Sequence, residues 1–396
     1  MTVRNIIQAV DSVGAIDWDR RIFDALIPTP DGTSYNSYLI RGSDKTALID
    51  TVDPSFDTLL IQNLEELKVE RLDYIICNHA EQDHAGSIPI VLEFYPEARI
   101  ICTNKCKGML IDLMHLQDDI FIVVDDKSTV SLGDKTLEFI HTPWVHWPET
   151  MVTYLQEDGI LFTCDFFGSH LSQSALYAEE EFIVYESAKR YFGEIMMPFR
   201  INIQKNLEKL SGYKISMIAP SHGPIYNKPD FILNAYKSWV YDEPKNLVIL
   251  PYVSMHGSTQ AMIDYFVTAL INRGVNVKQF NLTETDPGKL AITLVEAATI
   301  VIGTCTVLGG AHPLAANAAF LVNALRPNLK FASIIGSYGW GSRAVEQITA
   351  SLNNLKVEVL DPVYIKGHPK EDDLKALDQL AEKIYLKHKE KGYIIK

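Results

Sequence analysis

A chain of 396 residues that is 47% apolar and 22% charged is globular, with material for two or three domains. Its 50 acidic and 36 basic residues leave a net charge of −14, which disfavours nucleic acid and anionic membrane surfaces as partners. No apolar run reaches the ~18 residues of a membrane span, and Met1-Thr2-Val3-Arg4-Asn5 opens on mixed sequence rather than a secretory leader.

In chain order, short apolar strands are predicted at 46–50, 74–78, 99–103, 121–124, 137–142, 151–155 and 160–164. Helices interrupt them near 87–94, 105–115 and 186–210. This rhythm predicts layered α/β structure with functional loops carried on sheets. The run 72–77 ends in Asn78-His79-Ala80-Glu81-Gln82-Asp83-His84. Two imidazoles and two carboxylates at the end of a buried strand are costly to desolvate unless a cation pairs with them.

Three more metal-binding side chains follow. His146 lies in Thr142-Pro143-Trp144-Val145-His146-Trp147-Pro148, Asp165 follows the apolar run 160–164, and His222 follows 217–221 and precedes Gly223. The full inventory is His79, Glu81, Asp83, His84, His146, Asp165 and His222. It fits two metal ions, with Asp165 able to bridge them through its two oxygens. A donor set this rich in oxygen suits iron or manganese better than tetrahedral zinc. His170, in Gly168-Ser169-His170, is a candidate proton donor near the site, and Tyr191 or Tyr226 could serve the same purpose. Five scattered cysteines, Cys77, Cys102, Cys106, Cys164 and Cys305, contain no CxxC pair and fit buried thiols in a reducing cytoplasm.

The segment Asp242-Glu243-Pro244-Lys245-Asn246 is the best boundary, dividing the chain into 1–244 and 245–396. Beyond it, strands at 247–253, 275–281, 299–303, 330–336 and 357–360 alternate with helices at 259–273, 314–326, 344–355 and 372–389. That alternation predicts a doubly wound parallel sheet. Ser254-Met255-His256-Gly257-Ser258-Thr259 joins its first strand to its first helix, and suits a single terminal phosphate such as that of FMN. Two further loops lie at strand carboxyl ends: one carries Thr304, Thr306, Val307, Leu308 and Gly309, the other Ser337-Tyr338-Gly339-Trp340-Gly341. The second could lay backbone or an aromatic ring against a flat isoalloxazine. His115, His312, His368 and His388 have no comparable context, nor does His256 outside its loop; packing or surface roles are expected.

The pattern His79-x-Glu81-x-Asp83-His84 resembles the H-x-H-x-D-H signature of the metallo-β-lactamase fold, with Glu81 replacing one His. With His146-Trp147-Pro148, Asp165, Ser221-His222-Gly223 and the 254–259 and 337–341 loops, nearly the whole chain resembles a flavodiiron protein, or A-type flavoprotein. The resemblance implies a metallo-β-lactamase-like αββα sandwich followed by a flavodoxin-like domain. It implies one iron on His79, Glu81, His146 and Asp165, a second on Asp83, His84, Asp165 and His222, and FMN in the second domain. His84 does not coordinate in every similar protein. The implied reaction is reduction of dioxygen to water, of nitric oxide to nitrous oxide, or both. Electrons would come from an external donor: rubredoxin, a reduced deazaflavin or another reductase. A head-to-tail homodimer, or a dimer of such dimers, is also implied. The alternative is a zinc-dependent hydrolase of the same fold with an appended flavodoxin-like domain.

Overall fold

The computed structural model describes residues 3–394; residues 1, 2, 395 and 396, which the expected domain spans include, lie outside it. Two compact units are present. One holds the chain up to Phe192 together with Phe199–Tyr241; the other holds Gly193–Pro198 and the chain from Asp242 on.

The first unit is built on two sheets. In the seven-stranded sheet the order is Arg4–Ile7, Val10–Ser12, Tyr38–Arg41, Thr46–Ile49, Tyr74–Ile76, Arg99–Cys102, Phe121–Val123. Its first four strands pair antiparallel and the rest parallel. The five-stranded sheet runs Thr129–Ser131, Thr136–His141, Met151–Leu155, Ile160–Cys164, Met217–Pro220.

Strand side chains alternate between faces. Ile49, Ile76 and Ile101 therefore point toward Leu137, Phe139, Met151 and Phe162 of the second sheet. Their neighbours Leu48, Ile75 and Ile100 point the other way, onto Leu60 and Leu64 of helix Asp57–Glu66 and Leu110 of helix Asn104–Met114. Burial on both faces is why these strands read as continuous apolar runs. Helix Arg200–Leu210 is tied to the second sheet by Lys209 Nζ, which donates to His141 O (2.7 Å). The layers are thus helix, sheet, sheet, helix.

Several expectations change. The helix expected over 186–210 is broken into Glu181–Tyr191, a wide turn at Phe192–Met196, a tight turn at Met197–Phe199, and Arg200–Leu210. Pro198 has no N–H to continue the ladder, and a β-carbon on Gly193 would stand 2.8 Å from Ala291 O. The short N-terminal strands, helices Asp57–Glu66 and Pro287–Leu294, and strand Val363–Lys366 were not expected from the sequence.

In the second unit, strands Asn276–Asn281, Lys245–Tyr252, Ala297–Val307 and Phe331–Tyr338 lie side by side and parallel. Glu358–Val359 and Val363–Lys366 both extend the far edge beside Phe331–Tyr338. In chain order this is 2-1-3-4-5, the flavodoxin-like doubly wound arrangement. The order reverses between Lys245–Tyr252 and Ala297–Val307, so the crevice above their carboxyl ends is the natural ligand position. Helices Ser258–Ile271 and Glu371–Glu390 cover one face, packing Met262, Phe266, Leu377 and Ile384 on Val248, Leu250 and Val301.

Candidate functional site

The seven predicted metal-binding residues converge in the first unit. His79 and Glu81 follow the end of strand Tyr74–Ile76, and Asp83 and His84 sit on the single turn Gln82–Ala85. Asp165 follows strand Ile160–Cys164, and His222 follows strand Met217–Pro220. Tight turns aim these side chains. Cys164 adopts φ +50°, and Gly168 N–H closes the turn on Asp165 O (2.9 Å). His146 sits on the loop between strands Thr136–His141 and Met151–Leu155, where Trp144 takes φ +65° and its N–H bonds Trp147 O (2.7 Å).

The ligand atoms form two groups that share Asp165. In the first, Glu81 Oε2 lies 3.0 Å from His79 Nε2 and 3.1 Å from His146 Nε2, and Asp165 Oδ2 lies 3.3 and 3.1 Å from the same nitrogens. In the second, Asp83 Oδ2 lies 3.2 Å from His84 Nε2 and 3.1 Å from His222 Nε2, with Asp165 Oδ1 3.0 and 3.4 Å from them. Donor atoms spaced this way suit ions held by bonds of about 2.0–2.2 Å. Asp83 Oδ1 and Oδ2 and Asp165 Oδ2 are buried without a hydrogen-bond partner. Such oxygens are unfavourable in a core and are satisfied by cations. The residues therefore fit a two-ion centre.

Electrostatics agree. Desolvation is the largest influence on His146 and His222 and lowers both. Asp165, Glu81 and Asp83 outweigh it, leaving His146 at about 9 and His222 at about 10. The Asp165 carboxyl, despite burial, is held well below its usual range, chiefly by His84, His146 and His222. A site that draws protons onto imidazoles offers the same field to metal cations.

Further residues hold these side chains in place, as the outer partners of metal ligands do. His79 Nδ1–H donates to Glu149 Oε1 (2.6 Å), which also accepts Ala80 N–H (3.1 Å). His222 Nδ1–H donates to Ser34 O (2.7 Å), and Tyr191 OH donates to Asp165 Oδ1 (2.8 Å). Asp50 accepts Asn78 N–H (2.8 Å) and its side-chain amide (2.9 Å). Asn78 in turn accepts Met151 N–H (3.0 Å) and the Thr153 hydroxyl (2.8 Å), joining the two sheets behind His79. Glu149, Asp50 and Ser34 were not anticipated; only Glu149, three residues after His146, offered a signal.

His170 is buried beside the second group. Its Nδ1 lies 2.9 Å from Thr33 Oγ1, and its ring lies 4.9 Å from those of Tyr191 and His222. Burial, then His222, pushes its pKa well below the ordinary value. Tyr226 instead packs on Phe231.

In the second unit a cavity of about 280 Å³ opens at the topological switch point. Ser254, Met255, His256, Ser258, Thr259, Thr306, Ser337, Tyr338, Gly339 and Trp340 line it, as do Cys305 and Gly367, which sequence reasoning missed. Gly257 takes φ +85° at the start of helix Ser258–Ile271, and Ser254 Oγ accepts Gln260 N–H (3.1 Å). Thr304 does not line the cavity; its hydroxyl is turned inward, donating to Cys305 O and accepting His312 N–H. Gly257, Val307, Leu308, Gly309 and Gly341 are also absent from the lining. His312 caps helix Pro313–Leu325, and His388 is buried against Thr299 and Asn246.

The model of the ODP family beta lactamase matches residues 33–223. The chain is 33% identical over 381 residues to the nitric oxide reductase of Moorella thermoacetica, covering 94% of this chain and 95% of that one. Its structure resembles the rubredoxin oxygen:oxidoreductase of Desulfovibrio gigas with a TM-score of 0.95 and 26% identity, over 99% and 100% of the two chains. It resembles the flavodiiron protein of Giardia intestinalis with a TM-score of 0.89 and 28% identity, over 99% and 98%.

Proposed function

The chain belongs to the flavodiiron proteins, and from that premise we propose that it reduces dioxygen to water, nitric oxide to nitrous oxide, or both. We assign the metal centre to a domain spanning 1–244 and FMN to one spanning 245–396. The relatives are reductases, which sets the zinc hydrolase aside.

The observation that best supports this reading is the pair of ligand groups meeting on Asp165, with buried oxygens left over for cations. His79, Glu81, His146 and Asp165 would hold one iron; Asp83, His84, Asp165 and His222 would hold the other. When bound, two ferrous ions and a reduced FMN supply four electrons, the number that takes dioxygen to water. The chain's own residues fix and protonate. Glu149 and Ser34 hold the Nδ1 protons of His79 and His222, so each Nε2 lone pair faces the centre. Tyr191 keeps its phenol proton, because burial and then Asp165 raise its pKa well above the ordinary value. It therefore presents O–H to Asp165 Oδ1, where the two ligand groups meet. His170 and Thr33 form a second proton-bearing pair behind His222.

The cavity residues Ser254, Ser258, Thr259 and Ser337 would bind FMN, the first three at a helix N-terminus suited to its phosphate. Trp340 is 91% exposed at the cavity rim and Leu308 fully exposed nearby. Apolar side chains placed so support a working form in which another copy or an electron donor covers them: a head-to-tail homodimer fed by rubredoxin, a reduced deazaflavin or a reductase. Five cysteines buried as free thiols support a cytoplasmic location. No described helix is long and apolar enough to cross a membrane.

The test is elemental analysis of protein purified without added metal, then anaerobic reduction and exposure to each gas. About two irons per chain and consumption of either gas are expected. Zinc in place of iron, or consumption of neither gas by fully loaded protein, defeats the reading.

A further inference from the structure

Three of the five cysteines gather directly behind the metal centre. Cys77 follows strand Tyr74–Ile76, Cys102 ends the neighbouring strand Arg99–Cys102, and Cys106 lies in the first turn of helix Asn104–Met114. All three are buried, at 1% exposure or less. Cys106 Sγ stands 3.6 Å from Cys77 Sγ, in van der Waals contact. Cys77 is tied to the centre through its thiol, and Cys106 through its backbone N–H. Cys77 S–H donates to the carbonyl oxygen of His79 (3.0 Å). Thr103 Oγ1 accepts Cys106 N–H (3.2 Å) and donates to Glu149 O (2.9 Å), the residue that holds the His79 ring.

We propose that Cys77 and Cys106 are a modification site: hydrogen peroxide joins them as a disulfide, and the bond loosens His79. Peroxide is the two-electron product of incomplete dioxygen reduction, and it is far smaller than a disulfide reagent. One sulfur attacks a peroxide oxygen: an S–O bond forms, the O–O bond breaks, and water leaves with the thiol proton. The second sulfur then attacks the sulfenic sulfur: S–S forms, S–O breaks, and a second water leaves. Two thiols lose two electrons and one peroxide becomes two waters. The sulfurs close from contact to about 2.05 Å. The S–H donor to His79 O disappears, leaving a buried carbonyl unpaired one residue from Asn78, the link between the sheets. The disulfide itself is independent of the gas-reductase reading; only its effect on metal retention rests on it.

The test uses full-length, metal-loaded protein, exposed to hydrogen peroxide, then denatured in alkylating reagent for thiol counting and peptide mass mapping. Free thiols are expected to fall from five to three, with Cys77 linked to Cys106 and full recovery in dithiothreitol. Bound metal is expected to fall by about two-fold or more relative to C106A treated identically; C106S serves as a second control that fills the space. An unchanged thiol count, a Cys102–Cys106 link, or irreversible oxygenation without a crosslink overturns the site. A Cys77–Cys106 link with undiminished metal overturns its coupling to His79.

Discussion

Glu149 offers the sharpest test of how the centre is held. Its carboxylate is 2% exposed and takes two donors on one oxygen, His79 Nδ1–H at 2.6 Å and Ala80 N–H at 3.1 Å. Burial raises its pKa, but these donors outweigh that and keep it below the ordinary value. Glu149→Gln retains an acceptor for both donors, loses the charge at about 1 kcal/mol, and puts an amide NH2 where Oε2 is buried without a partner. Glu149→Ala strands both N–H groups in the core at about 1–3 kcal/mol each. It also frees the His79 ring, which for supporting residues of metal ligands costs about 10–100-fold in metal affinity. The order of metal retention should therefore be wild type, Gln, Ala. Dialysis against chelators of graded strength, followed by elemental analysis, measures it. If Glu149→Ala keeps its metal as firmly as wild type, the carboxylate does not orient His79 and the reasoning is wrong.

Other consequences can be checked as directly. Asp165→Ala should lose both ions, whereas His146→Ala should lose one; metal stoichiometry separates a bridge from a terminal ligand, and equal losses would deny the bridge. Burial lowers the His388 pKa to about 4, so the fold resists a proton that the unfolded chain accepts near 6.5. Stability from this group is complete above ~6.5 and declines by about 1–3 kcal/mol as pH falls through 4; denaturation against pH should lose that slope in His388→Gln. A β-carbon at Gly223 would stand 2.1 Å from Ser169 Oγ at φ +80°, so Gly223→Ala should cost about 2–4 kcal/mol in thermal or chemical unfolding. Ser254→Ala, which removes a cavity hydroxyl and strands Gln260 N–H, should weaken FMN binding about ten-fold in a flavin-fluorescence titration; unchanged affinity would place the phosphate elsewhere.

Most of the candidate ligands were legible because they follow an apolar run that ends abruptly in side chains unsuited to a core; His146, on a loop between strands, is the exception. The alternating strands and helices after residue 245 were legible for a similar reason, since parallel strands buried on both faces announce themselves. Glu149 was less so: its place three residues after His146 is a hint, but its role depends on meeting His79, 70 residues earlier, and no local pattern encodes that meeting. Thr304 and Cys305 show the limit of reading loops by composition. On one strand the Thr304 hydroxyl turns inward while Cys305 and Thr306 reach the cavity, a split that composition does not encode. The N-terminal strands, two to four residues each, are too short to carry a period.

The sharing of ligands between two sheets has a mechanical side. His79, Glu81, Asp83 and His84 are borne on the seven-stranded sheet, while His146, Asp165 and His222 are borne on the five-stranded one. Each ion would therefore act as a rivet across the sandwich seam. The two sheets could not part without first releasing it, and an ion at 100 times its dissociation constant resists that by about 2.7 kcal/mol. Loading would lengthen the life of the folded chain, so a cell short of metal would hold not only an idle protein but a shorter-lived one.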